Sequence, residues 1–311
     1  MKKWSAIAMP KAMARALAKA KALAKAKALA KAVAKAVAVA MALGCGAAAG
    51  VHAAEPSRVV SLGGSVTEIV YGLGEGDRLV GDDLSSLYPE AATRLPRVGY
   101  YRAVPVEGVL SLKPDLVLAS EQAGPPDALK RLAGVGVRVV TVPDAPSVDS
   151  LKARIRAVAD ALGVAPAGER MVDKVTQELA RAQAIAPTRA RALLLMNRTG
   201  TPQGAGRDTA ANEVMQLAGL TNVLHDQQGY KPLSAEAIGA LAPDLIVVTQ
   251  ASLEATGGMD KFLTQPGVAG SPAAAKRRVV VMDDLLILGM GPRLPLALTQ
   301  LKQEVADVMA R

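Results

Sequence analysis

From Arg58 onward, short apolar runs alternate with stretches of helical periodicity. RVVSLGG at 58–64 reads as a buried strand entering a glycine turn, and SVTEIVYGLG at 65–74 as a short helix that Ser65 can cap, with Glu68 at the third position beyond it. DRLVG is a strand, EGVLSLKPDLVLAS a helical turn followed after Pro114 by a buried strand, PPDALKRLAG a helix, and VRVVTVP a strand. Apolar strands without strict alternation, separated by helices, predict an α/β fold with mostly parallel sheets.

The second half repeats this order. ARALLLMN predicts a strand, TAANEVMQLAGL a helix, AEAIGALAPDLIVVTQ a helical turn and strand, RRVVVMD a late strand, and PRLPLALTQLKQEVADVM the closing helix. Glu107 precedes Pro114 and PDLV just as Glu236 precedes Pro243 and PDLI, at a constant offset of 129 residues. Between the halves, Met171, Val175 and Leu179 recur at spacings of four. They predict a helix over 168–184, roughly 25 Å long at about 1.5 Å per residue, long enough to flank two lobes and stiffer than a loop. The expected organisation is two α/β lobes, 54–166 and 187–311, each with a mostly parallel central sheet, joined by one long helix over 167–186.

Charge separates the first 53 residues from the rest. They hold ten of the 37 Lys and Arg and no Asp or Glu, leaving 27 basic against 28 acidic residues, so the remainder is near neutral. The whole-chain basicity therefore lies outside the predicted fold and argues against a nucleic-acid partner. The leader repeats ALAKAK at 16–21 and 22–27, then carries an apolar run from Ala36 and the small-residue pattern VHA, which predicts a cleaved export signal over 1–53 with processing after Ala53 or Ala54. Met9 and Met13 are alternative starts. Lipidation of Cys45, within ALGC, is the less favoured alternative. Cys45 is the only cysteine, so the processed chain has no disulfide and no thiolate ligand.

Composition also narrows the chemistry. No dinucleotide glycine fingerprint, P-loop, GxSxG or HExxH occurs, and His225 is the only histidine beyond the leader. With one phenylalanine and five tyrosines in the chain, VGYYRAVPVEG at 98–108 is conspicuous. Were the segment extended, Tyr100 and Arg102 would face one side and Tyr101 the other. A phenol with a pKa near 10 ordinarily stays neutral, but ferric iron and a nearby guanidinium both favour the phenolate. Packing of both rings on a lobe surface is the competing reading.

These segments carry a resemblance. RVVSLGGSVTEIVYGLG, RLPRVGYYRAVPVEGVLSLKPDLVLASEQAGP, LLLMNRTGTPQGAGRDTAANEVMQLAGLTNV and YKPLSAEAIGALAPDLIVVT resemble periplasmic haem-binding proteins of haemin ABC importers, members of the class III substrate-binding proteins. The resemblance implies a non-catalytic carrier that takes ferric haem into the interlobe cleft, with the tyrosine of GYxR, Tyr100, as the axial oxygen ligand to iron and Arg102 supporting that oxygen or a propionate. Some members add a second-lobe histidine, which MNRTG at 196–200 lacks. Either Tyr100 acts alone, or a second haem, Asn197 or Arg198 occupies the far side, giving one or two haems per chain. Arg198 and Arg207 are candidate propionate partners, because a guanidinium suits a carboxylate. Tyr230 and Met259 are candidates for the second-lobe wall, with ordinary packing favoured. Glu107 and Glu236 would dock onto arginines of the permease dimer, which works with its ATPase, downstream of an outer-membrane haem receptor. The alternatives are the same scaffold carrying cobalamin or a ferric siderophore and, more remotely, an exported α/β enzyme.

Overall fold

The computed structural model describes residues 19, 21–27, 29–31, 55–197 and 200–311. In the leader, residues 21–27 and 29–31 are helical and exposed. Cys45, Ala53, Ala54 and Arg198 lie outside the described residues. Among the described residues, no helix is long and apolar enough to cross a membrane.

Residues 55–311 build two sheets. The first combines β1 (Val59–Leu62), α1 (Gly64–Gly72), β2 (Leu79–Asp82), α2 (Val106–Ser111), β3 (Leu116–Ser120), α3 (Pro126–Gly134), β4 (Arg138–Val142) and α4 (Val148–Leu162). Its strand order is β2-β1-β3-β4, all parallel, and β1 and β3 are buried throughout. That burial explains why they read as unbroken apolar runs.

The helix α5 (Ala165–Ala184) then leads to β5 (Arg191–Met196), β6 (Gln203–Ala205), α6 (Ala210–Leu217), β7 (Thr221–Asn222), β8 (Tyr230–Pro232), α7 (Ala235–Leu241) and β9 (Leu245–Thr249). Next come α8 (Gln250–Ala255), α9 (Met259–Leu263), α10 (Pro272–Ala275), β10 (Val279–Met282), α11 (Asp284–Leu288) and α12 (Leu294–Met309). The second sheet runs β10-β9-β5-β6-β8 with β7 beside β5. It is mixed, because β6 is antiparallel to both β5 and β8.

Val175 and Leu179 of α5 are buried in the main core, with Met171 packed against it. The end of α5 is held by Lys302 on α12, whose buried ammonium donates to the carbonyls of Ala182, Gln183 and Ile185 at 3.1, 3.0 and 2.7 Å. Three donors thus meet three carbonyls at the negative end of a helix.

Two local expectations change. Gly63, at φ 119°, precedes the first residue of α1, and Ser65 does not cap it. The chain turns on Gly63–Gly64, where a Cβ on Gly64 would meet the Ser85 carbonyl oxygen at 2.3 Å. Glu68 is buried and ion-paired with Arg293. The pattern reading also omits α4, although Ser147 caps its start, accepting from the Ser150 amide at 3.1 Å, and Gly163 ends it at φ 78°.

Candidate functional site

A cleft of about 760 Å³ is lined from both sheets' loops, by residues 63–146 on one side and 196–290 on the other. Tyr100, Tyr101 and Arg102 form part of the first wall. Gly99, at φ 102°, turns the chain into a single 3₁₀ turn over Tyr101–Ala103, closed by the Ala103 amide donating to the Tyr100 carbonyl at 2.8 Å. The extended geometry expected for Tyr100–Arg102 is therefore replaced by a turn, and all three residues border the cleft. Tyr101 does not point away. Its ring packs on the first-lobe core, the Tyr100 ring meets it edge-on at 5.0 Å, and the Arg102 guanidinium carbon lies 4.9 Å from its centre.

Burial pushes the Tyr101 phenol well above its ordinary pKa despite Arg102. For Arg102, burial alone would lower the pKa, but Tyr101 and Tyr100 outweigh it and leave the group above its usual value. Tyr100 is 43% exposed and presents the accessible phenol.

Opposite, Tyr230 opens β8 and lines the second wall. Its phenol is pushed up to about 12, chiefly by burial, against hydrogen bonds to the Ala211 backbone and the Thr209 side chain, and with Arg102 and Tyr100 close enough to act on it. It is a neutral phenol at physiological pH, suited to hydrogen bonding. Met259 packs on the second-lobe core instead.

Asn197 and Arg207 are not among the residues lining the cleft. The Asn197 side chain accepts from the Gly200 amide at 2.9 Å and closes a turn, while its own amide donates to Ser252 Oγ at 2.9 Å. Arg207 is exposed, its backbone held between Gln227 and Gly229.

Sequence reasoning missed the polar frame behind the tyrosines. Asp83 accepts from the Tyr101 amide at 3.2 Å, the Gly63 amide at 2.9 Å and Ser85 Oγ at 2.8 Å, tying the cleft loops together. Arg102 donates to Gln122, whose amide nitrogen donates to the Asp144 carbonyl at 3.2 Å. The Asp144 carboxylate pairs with fully buried Arg154 at 2.7 Å, a contact without hydrogen-bond alignment, and Arg154 also donates to Ser65 Oγ at 2.7 Å and across the lobes to the Met290 carbonyl at 3.3 Å. A second cross-lobe link joins Glu68 on α1 to Arg293, whose guanidinium stacks 3.7 Å over Tyr88. Burial raises Glu68 to about 7, with Arg293 opposing. The residues in these links lie far apart in the chain and belong to no compact motif.

Glu107 and Glu236 stand apart from the cleft lining, each exposed in the first turn of its helix, α2 and α7. The amide of Glu236 and the Ser234 hydroxyl hold the Glu236 carboxylate below its usual pKa.

The profile of the periplasmic binding protein family matches residues 59–286. The chain belongs to that family, with its two-lobe α/β fold. It is a non-catalytic periplasmic solute-binding protein of the kind that serves ABC import. Among solved structures it is similar to the apo form of the periplasmic haem-binding protein RhuT from Roseiflexus sp. RS-1, at 41% identity and TM-score 0.76 over 81% of this chain and 98% of that one. It is equally identical, 41%, to the periplasmic haem-binding protein BhuT in complex with two haems, at TM-score 0.74 over 81% and 98% of the two chains. Curated relatives include an uncharacterised ABC transporter substrate-binding lipoprotein, YvrC, of Bacillus subtilis, 32% identical over 81% of this chain and 80% of that protein. The vitamin B12-binding protein of Pectobacterium carotovorum is 28% identical over 80% and 88%.

Proposed function

We propose that this protein captures ferric haem in the interlobe cleft and delivers it to an ABC permease. The observation that carries the reading is the accessible phenol of Tyr100 beside Arg102 in a cleft lined by both lobes. Tyr100 supplies the oxygen to ferric iron, because metal charge and the Arg102 guanidinium both stabilise its phenolate. Tyr101 supports the Arg102 guanidinium from beneath, and Tyr230 contributes a neutral hydrogen bond from the second lobe. Arg207 and Asn197 have no part in cargo binding in this reading. The 41% identity to two haem-binding proteins supports haem over a related macrocycle.

Glu107 and Glu236 are assigned to the permease, with matched charges meeting a two-fold partner and setting register more than affinity. The chain is taken to reach the periplasm through its leader, cleaved near Ala53 or Ala54, with lobe boundaries at either end of α5.

Titrating the purified processed protein with ferric haem, while following the spectrum and stoichiometry, tests the reading. It expects a tyrosinate-ligated ferric spectrum and resolves one haem from two. Binding of cobalamin without a haem spectrum would favour the second reading, which the vitamin B12-binding relatives support.

A further inference from the structure

The two glutamate-bearing helices share more than their sequence offset. Each is followed by a non-glycine residue in the left-handed region, Lys113 at φ 49° two residues past Ser111 and Ala242 at φ 42° directly after Leu241, and these residues are themselves 129 apart. In each lobe an arginine at the start of the neighbouring strand reaches back to two successive carbonyls of the turn that closes the helix. Arg58, just before β1, donates from Nε to Lys113 O at 3.1 Å and from Nη2 to Leu112 O at 2.7 Å. Arg191, opening β5, donates from Nη1 to Ala242 O at 3.2 Å and from Nη2 to Leu241 O at 3.0 Å. The same arginines' carbonyls accept the amides of Asp115 at 3.0 Å and Asp244 at 2.9 Å. The two guanidinium forks therefore grip equivalent atoms.

We propose that Arg58 and Arg191 are positioning residues that clamp the two permease-docking helices to their sheets and so fix where Glu107 and Glu236 are presented. This rests on the reading of those glutamates as permease contacts. Helices of six and seven residues have little stability of their own, because nucleation is costly. Left-handed non-glycine residues at their ends add local strain. A fork on the carbonyls of the closing turn opposes both and places positive charge near the negative end of the helix. Neither arginine lines the cleft, so cargo binding should be independent of them.

The test uses the haem-loaded protein with its permease and ATPase in proteoliposomes, reading ATPase stimulation against binding-protein concentration, with amide exchange in α2 and α7 measured in parallel. Each of Arg58→Met and Arg191→Met is expected to raise the half-saturating concentration about threefold and the double variant about tenfold, the size expected for losing exposed hydrogen bonds. Haem affinity stays unchanged, exchange quickens in the matching helix alone, and Arg→Lys restores part of the effect. Should the Met variants not fold, the Lys variants carry the test, since they keep a charge but lose the fork and should show a smaller rise. A lower Tm with unchanged half-saturation overturns the proposal, as does unchanged exchange. If Glu107→Arg with Glu236→Arg abolishes stimulation while the arginine variants do not alter it, the clamp fails and docking stands. If the glutamate reversals also have no effect, the docking reading falls and the clamp with it.

Discussion

Replacing Arg154 with Met removes the group that joins the cleft frame to the second lobe. Arg154 is completely buried, and four partners converge on it: the Asp144 carboxylate, the Pro143 and Met290 carbonyls and Ser65 Oγ. The methionine side chain retains most of the apolar contact, so the cost is chiefly electrostatic. Asp144, whose pKa is already raised by burial against the pull of Arg154, loses its counter-ion while still largely desolvated. Breaking a buried pair by deleting one partner costs about 3–5 kcal/mol. At roughly 2–4 °C per kcal/mol for a chain of this size, Tm should fall by about 10 °C. A double-mutant cycle isolates the cause. Asp144→Asn in the Arg154→Met background removes the orphaned charge and should recover at least about 1 kcal/mol, the lower bound for an unpaired buried polar group. Urea unfolding of the haem-free protein at pH 7 measures all four corners. If Arg154→Met costs no more than an ordinary surface change, about 0.5 kcal/mol, or if the second substitution recovers nothing, the ion-pair account is wrong.

Tyr100→Phe should weaken ferric haem by more than roughly 100-fold, beyond the effect of losing a mere outer partner, and abolish the tyrosinate spectrum; an unchanged spectrum would reject the assignment. Glu107→Arg with Glu236→Arg should spare haem binding and stop haem-dependent growth, and normal uptake would count against docking. For Glu68, the folded pKa of about 7 exceeds the ordinary glutamate value of 4.5. Its contribution is therefore fully present below about pH 4.5 and lost as pH rises through about 7, so wild type should lose up to about 3 kcal/mol relative to Glu68→Gln across that window. A flat difference by urea unfolding would show that Arg293 compensates fully. Lys302→Met leaves three carbonyls at the end of α5 unpaired and should cost about 2–4 kcal/mol in the same assay, while a neutral outcome would mean that water replaces the ammonium.

Most of the elements are legible in the sequence because burial on both faces of a parallel strand demands continuous apolar runs. RVVSL, PDLVLAS and PDLIVVT accordingly become β1, β3 and β9. The 129-residue offset survives to the residue, with β9 at Leu245–Thr249 matching β3 at Leu116–Ser120. Helix α4 is less plain, since its charged residues mask the apolar stripe that only its packing on α5 and the core makes evident.

The site divides along the same line. Local sequence singled out the candidate side chains of the proposed site: one tyrosine pair, one arginine beside it, and a glutamate at the start of each of two equivalent helices. Only the tertiary structure decided where they sit. A 3₁₀ turn held by Asp83 brings Tyr101 to the cleft with its neighbours, and Tyr230 comes to face them across 130 residues. Asn197 and Arg207 are withdrawn from the lining, and Arg154 is brought from α4 to bind the lobes together. The reason is physical: strand and helix periodicities are short-range properties of the chain, whereas the orientation of a cleft side chain depends on backbone hydrogen bonds and buried charges contributed by residues far away in sequence.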